Sequence, residues 1–342
     1  MQAIHIPAFV TSLNSLAVSS VPLPTVNATT LLIRVTHVSP THVDILYAQG
    51  KHQNNRRHAK PPFILGMDFA GVVVRAPAGF EYQQGDNVYG SYFGAFAEFI
   101  ALDVSNGPGG VRRVPKSWTN AEACAVGASG AISLGCFYRA GKIRKGDWVL
   151  VTGASGGLGV IACQIAKILG AKVVALAGDT EKAQMLKSIG VDACVSYHEP
   201  KWESTVLKIT GSGVSMVYDA VGMVESSLRC CKFGGTVVIV GFAGRGGDME
   251  SLKVNRILLK GAGVVGYRFG EHGRQKPAET AKIWKDFDDM VDTGLIRPVV
   301  YNTPYQGLAS ISTAMNDMHN RKAWGRAVVT ISQADNQARS RI

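Results

Sequence analysis

The sequence predicts an α/β protein that joins a parallel-sheet domain to a mostly β domain. Three observations carry that expectation. From about Lys145 onward, short apolar runs alternate with segments of helical spacing. Before that point the chain reads as strands rich in β-branched residues and punctuated by turn residues. Between the first strand and first helix of the alternating region stands a glycine-rich turn, Gly153 to Gly159.

In the first third, Leu31 to Val38 and Phe69 to Arg75 are strand-like. Asn87 to Ile100 holds short segments broken by Gly90 and Gly94. The alternating region then runs strand Trp148 to Thr152, glycine turn, helix Val160 to Leu169, strand Lys172 to Leu176 and helix Lys182 to Ile189. Cys194 to Tyr197, Met216 to Asp219 and Thr236 to Val240 continue the strand series. A long amphipathic stretch, Glu279 to Thr293, precedes two final strand candidates near Ile296 to Tyr301 and Arg326 to Ile331.

Composition bounds the function. The 342 residues are 46% hydrophobic, enough for two cored domains. Lys and Arg number 36 against 25 Asp and Glu, giving +11. The basic residues are scattered, and the densest cluster, Lys51 to Lys60, lacks interleaved aromatics. The charge is therefore read as a field for anionic ligands and not as a nucleic-acid interface. None of the six Cys forms a CxxC pair. No signal peptide or membrane span is read, and a reducing intracellular compartment is expected. The terminal Ser340-Arg341-Ile342 resembles a peroxisomal address, so the expected location is cytoplasmic or peroxisomal.

The turn reads Gly153-Ala154-Ser155-Gly156-Gly157-Leu158-Gly159. Such a turn between strand and helix suits a dinucleotide. Gly156 lets the backbone approach the pyrophosphate, and Gly159 lets helix and strand pack closely. The helix N-terminus offers N–H groups to phosphate. Ala154 falls at the first position of the GxGxxG pattern. At the end of the second strand, an NAD site wants an acid for the ribose. Asp179 has suitable spacing from Gly159, yet it also precedes a helix as an N-cap. The cap reading leaves Gly178, Lys182 and Tyr197 to meet a 2′-phosphate, which favours NADPH. Asp219, Gly241 and Phe242 end later strands on the same side. They are further cofactor candidates, and Asp219 has a helix cap as its alternative.

The run GDWVLVTGASGGLGVIACQIAKILGAKVVAL resembles the cofactor domain of the medium-chain dehydrogenase/reductase superfamily, nearest its zinc-free quinone oxidoreductase and enoyl reductase branch. The likeness extends through Phe63 to Gly71, Gly85 to Val88, Gly94 to Phe99 and Gly325 to Val328. It implies a GroES-like catalytic domain built from both chain ends around a Rossmann-type domain. The expected division is 1–123, then 124–268 for the Rossmann domain, then 269–342. The family position of the NAD acid falls on Ala177, which again points to NADPH.

Positions that hold zinc ligands in the metal-dependent members are Thr41 and Met67 here, so no metal is expected. Without a Lewis acid, the expected substrate is already electrophilic: a quinone, an enone or an enoyl thioester. Thr41, Asp44 and Tyr47 are the catalytic candidates, with Tyr92 a further pocket residue. Each has a structural alternative. Arg56, Arg57 and Lys60 are candidates to meet a phosphate-bearing carrier. Two rival readings remain, a zinc-dependent alcohol dehydrogenase and a non-catalytic NADPH-binding pathway partner. The resemblance also implies a homodimer.

Overall fold

The computed structural model describes residues 1–331 apart from 57, 106, 108, 142, 247 and 248. Arg57 and the terminal Ser340-Arg341-Ile342 lie outside the described residues. Strands β1 (Gln2–Ile6), β2 (Val18–Ser20), β3 (Thr30–Ser39), β4 (Phe63–Ile64), β5 (Asp68–Arg75), β6 (Asn87–Ser91), β7 (Phe99–Asp103) and β8 (Val111–Arg113) come first, with helices α1 (His42–Ala48) and α2 (Asn120–Val126). There follow α3 (Ser129–Ala140), β9 (Trp148–Thr152), α4 (Gly157–Ile168), β10 (Lys172–Ala177), α5 (Thr180–Ser188), β11 (Ala193–Ser196), α6 (Trp202–Thr210) and β12 (Val214–Asp219). The chain continues through α7 (Val224–Cys230), β13 (Cys231–Ile239), α8 (Asn255–Lys260), β14 (Gly263–Gly266), α9 (Phe269–Gln275) and α10 (Pro277–Asp292). It ends in β15 (Tyr305–Gln306), α11 (Ile311–His319) and β16 (Val329–Thr330).

Two compact units result. Unit 1 combines Met1–Ala128 with the described residues from Pro298 to Ile331, and unit 2 is Ser129–Arg297. Unit 1 is mostly antiparallel β. Its larger sheet runs β15-β16-β3-β5-β6-β8 with β7 also on β3, and a smaller one runs β2-β1-β4. The long β3 organises the core: Leu31, Ile33, Val35 and Val38 are fully buried, and Phe69 and Phe96 pack into the same cluster. Only the second of the two final strand candidates forms a strand. Pro298 interrupts the Ile296 to Tyr301 run and has no N–H to give a ladder, so Val300 makes one isolated bridge to Arg326.

Unit 2 is a six-stranded parallel sheet in the order β11-β10-β9-β12-β13-β14, the α/β layer arrangement of a Rossmann-type domain. Val149, Leu150 and Val151 of β9 are wholly buried. Helix α4 is apolar almost all round because it too is buried: every residue from Gly159 to Ala166 is inside. Helix α10 is amphipathic instead. Ile283, Trp284, Phe287 and Val291 face inward, while Lys282–Asp286 and Lys285–Asp289 pairs lie outside.

The end of unit 2 lies later than the expected 268, because α9 and α10 pack within it. A side chain at Gly130 of α3 would put Cβ 2.1 Å from the Phe287 ring, and one at Gly135 would meet the Tyr267 hydroxyl at the same distance. Tyr138 Oη also donates to Asp286 Oδ2 at 2.6 Å. Helix α10 is therefore seated on α3. A second difference concerns Asn120–Ala140, whose 21 residues are long and apolar enough by composition to cross a membrane. Here 78% of the most apolar window is buried, and Gly127 (φ +46°) separates α2 from α3.

Candidate functional site

The glycine turn leaves β9 at Thr152. Gly153 adopts φ +60°, a conformation that disfavours side chains, so the sharp bend falls there and not on Ala154, whose methyl is fully buried. Gly156 is the N-cap of α4 and supplies no side-chain cap. The first N–H groups of a twelve-residue helix thus end at a bare turn, an arrangement suited to an anion. A Cβ at Gly159 would lie 2.3 Å from the Gly153 carbonyl oxygen and 2.5 Å from Ala154 Cα, so glycine is required for helix and turn to touch. At Gly156 the nearest atom to a Cβ would be 3.4 Å away, so the protein itself leaves that face clear. Ser155, Gly157 and Leu158 complete the half-buried rim. These residues fit a dinucleotide pyrophosphate.

At the end of β10 the cap reading of Asp179 holds. Its Oδ1 accepts from Lys182 N at 2.8 Å and its Oδ2 from Lys182 Nζ at 2.6 Å. Burial raises the Asp179 pKa, but the Lys182 hydrogen bonds and charge outweigh it and hold the carboxyl below its ordinary value. Tyr197 reaches over Gly178, where a Cβ would stand 2.5 Å from the Tyr197 hydroxyl. Gly178, Lys182 and Tyr197 thus lie at the ends of β10 and β11, at one edge of the sheet.

Asp219 requires a correction. It is fully buried and holds the following turn: its carboxylate accepts from Thr152 Oγ1 (2.7 Å) and from the N–H groups of Val221 (3.0 Å), Gly222 (3.0 Å) and Met223 (2.8 Å). With four internal donors it shapes the crevice and offers no side-chain contact to a ligand. Beyond it, Gly241 leaves β13 and Phe242 is 44% exposed. Arg245, unanticipated from sequence, packs here too. A Cβ on Gly222 would lie 2.8 Å from Arg245 Cγ and 3.0 Å from Phe242.

The catalytic candidates of unit 1 also need correcting. Thr41 and Asp44 form a capping box on α1. The Thr41 N–H and hydroxyl both donate to Asp44 Oδ2 at 2.7 Å, and the Asp44 N–H donates to Thr41 Oγ1 at 3.3 Å. Asp44 has no exposed surface, and burial pushes its carboxyl up to about 7 despite the Thr41 hydrogen bonds. Tyr47 is 5% exposed, with Asn54 Nδ2 donating to its hydroxyl at 2.8 Å and its ring packed against His52 and Phe93. Tyr92 donates to the Ala101 carbonyl at 3.1 Å. Each has a structural task, and Asp44 and Tyr47 are too deep to meet a substrate.

The sequence reading missed the pair beneath them. Arg326 Nη2 donates to Asp68 Oδ2 at 2.7 Å, and their side chains are 10% and 4% exposed. Gly127 packs on this pair, since a Cβ there would stand 2.6 Å from the Asp68 carboxyl carbon. Both residues lie in quoted motifs, but nothing local joins them. Cys124 is buried nearby, and burial followed by the Asp68 charge pushes its thiol well up. Among the described residues no group of three or more His, Cys, Asp or Glu is placed to hold a metal ion.

Comparison with known proteins agrees with both units. Residues 27–111 match the alcohol dehydrogenase GroES-like domain, and residues 157–287 match the family described as zinc-binding dehydrogenase. The chain is 31% identical over 297 residues to quinone oxidoreductase-like protein 2 of Rattus norvegicus, covering 84% of this chain and 81% of that one. It is 30% identical over 314 residues to acryloyl-coenzyme A reductase of Sulfurisphaera tokodaii, covering 83% and 87%. A mycobacterial protein solved in complex with NADPH superposes with a TM-score of 0.82 at 25% identity, covering 96% of this chain and 99% of that one.

Proposed function

The chain belongs to the medium-chain dehydrogenase/reductase superfamily, in its quinone oxidoreductase-like branch, and from that premise we propose that it is an NADPH-dependent reductase of quinones or of C=C bonds conjugated to a carbonyl. The observation that carries the cofactor choice is the Asp179–Lys182 arrangement. Both Asp179 oxygens accept from Lys182, one from its backbone N–H as the cap of α5 and one from its ammonium, so the acid has a structural task at the strand end. A 2′-phosphate would compete with Asp179 for the Lys182 ammonium, a point charge at this edge, and would take a hydrogen bond from the Tyr197 hydroxyl. The α4 N-terminus and the open face of Gly156 would hold the pyrophosphate.

When bound, NADPH supplies the hydride. The protein's own part is to fix the nucleotide and to let the acceptor carry its own electrophilic centre. The reading without zinc is supported by Thr41, which is engaged in a cap, and by Met67, which offers only a thioether where a zinc-dependent alcohol dehydrogenase needs a ligand. The similarity to a quinone oxidoreductase-like protein and an acryloyl-coenzyme A reductase supports acceptors of quinone, enone or enoyl thioester type.

The proposed enzyme is a homodimer. Support comes from the outer edge of β14, which ends the sheet, and from the apolar side chains exposed beside it: Phe233 (79%), Leu258 (80%) and Leu259 (73%). The test of function is to follow NADPH and NADH consumption in parallel, with and without a chelator, against a simple quinone, a conjugated enone and an enoyl thioester. Chelator-insensitive turnover with NADPH preferred is the expected result. Activity lost to the chelator, or NADH preferred, would overturn it.

A further inference from the structure

One cavity of unit 2 lies outside the nucleotide site. It is a half-open groove of about 900 Å³ between α3, the end of β14, α9 and α10. Gly266, which opens it, belongs to a single ladder row. Thr152 pairs with Asp219, Asp219 with Ile239, and Ile239 with Gly266. The Gly266 end of the cavity therefore lies at the same carboxyl edge as the glycine turn, three strand spacings or about 14 Å along it. In the strand order, Lys182 lies after β10, on the opposite side of β9. If the 2′-phosphate end of the cofactor lies towards β10, its reactive half lies towards β12 and β13. The Gly266 end of the cavity then lies on the acceptor's side.

Its wall is cationic. Arg139, Arg268, Lys276 and Lys282 face it against Glu271 and Glu279. Lys276 pairs with Glu279 at 2.7 Å, Arg268 with Glu271 at 3.7 Å and Lys282 with Asp286 at 2.5 Å, whereas Arg139 makes no ion pair among the described residues. Two polar atoms at the cavity are buried without a hydrogen bond. One is the Tyr267 hydroxyl, on a residue only 6% exposed. The other is His272 Nε2, 3.4 Å from Glu279 Oε2 without hydrogen-bond geometry, on a ring 5.3 Å from that of Tyr267. Buried polar groups normally find partners, so the unpartnered Tyr267 hydroxyl, with His272 beside it and the Arg139 charge on the same wall, points to a missing acceptor.

We propose that this cavity receives the anionic end group, carboxylate or phosphate, of the reductase's electrophilic substrate, with the Tyr267 hydroxyl and His272 donating to it and Arg139 supplying the charge. This assignment rests on the reductase reading above for the word substrate, and on unit 2 alone for the anion site. The substrate class it selects is an activated alkene or quinone that carries an acid several atoms from its reacting carbon.

The experiment compares three forms of one conjugated enone: a terminal carboxylate, its methyl ester, and the corresponding phosphate monoester. The wild-type protein is expected to favour the better anionic form over the ester by about tenfold in kcat/KM. Arg139→Gln, an exposed change that leaves the core intact, and Tyr267→Phe are each expected to bring that ratio down about tenfold. The carboxylate and phosphate arms identify which anion is taken. A wild-type ratio near one, or a ratio untouched by both variants, overturns the proposal. If no enone is reduced, that result counts against the reductase reading. The anion site is then decided by calorimetric titration of the NADP⁺-loaded protein with inorganic phosphate and with succinate. Binding that Arg139→Gln weakens about tenfold supports it, and binding that is absent or insensitive to Arg139→Gln overturns it.

Discussion

Arg326 and Asp68 stand 258 residues apart in sequence and pair at 2.7 Å inside unit 1, where Arg326 Nη1 also donates to the Pro40 carbonyl at 3.4 Å. The contact ties the returning end of the chain to β5. Removing one partner strands a buried charge, so Arg326→Met is expected to cost about 3–5 kcal/mol in urea unfolding. The double variant Asp68→Leu/Arg326→Met is expected to recover part of that loss. A double variant no more stable than the single one would show that the charges do not act as a pair.

Asp44 predicts a pH dependence. Its folded-state carboxyl is raised from near 3.8 to about 7, chiefly by burial. The neutral form is therefore the one the fold prefers. Its contribution is fully present below about pH 4 and is lost as pH rises towards 7, at up to about 1.4 kcal/mol per pH unit. Asp44→Asn keeps an oxygen for the Thr41 donors and does not ionise. The stability of wild type relative to Asp44→Asn should fall between pH 4 and 7 and level off above. A difference that is flat across this range would show that Asp44 does not titrate there.

The two helix-side glycines of the turn should separate fold from cofactor. Gly159→Ala drives a Cβ into backbone at 2.3 Å, and a loss of about 1–3 kcal/mol is expected. Gly156→Ala has 3.4 Å of room, so its melting temperature should stay within about 5 °C of wild type. Its NADPH affinity, read by fluorescence titration, should nonetheless drop at least about tenfold, because the methyl stands where a pyrophosphate approaches. Equal NADPH affinity in Gly156→Ala and wild type would remove the pyrophosphate from that face.

Lys182→Ala should raise the KM for NADPH by about tenfold or more while changing that for NADH less than about twofold. A parallel rise for both cofactors would assign Lys182 to holding Asp179 and not to the 2′-phosphate.

Leu258 and Leu259 test the subunit contact. Leu258→Asp/Leu259→Asp should shift the mass found by light scattering from dimer to monomer with unit 2 still folded, since both side chains are more than 70% exposed in the single chain. A wild-type monomer would end the dimer reading.

What could be read from the sequence was what is encoded locally. The turn from Gly153 to Gly159 declares itself because glycine is needed within seven consecutive residues, and the flanking strand and helix show their own periodicities. Asp179 was legible as a cap for the same reason. Thr41 and Asp44 misled because a capping box and a reactive pair look alike when burial is unknown. The Asp68–Arg326 pair and the Tyr267 cavity were invisible because they arise from closure of distant segments. The allegiance of α10 likewise depends on Phe287 finding the bare Gly130.

The level row from Thr152 through Asp219 and Ile239 to Gly266 also bears on how such a protein can diversify. Its loops emerge side by side from a rigid ledge, each rooted in a different strand. Substitutions after Gly266 can then redraw what is held while those after Thr152 stay fixed. An engineer seeking new selectivity would randomise Tyr267 to Lys276 and leave Gly153 to Gly159 alone.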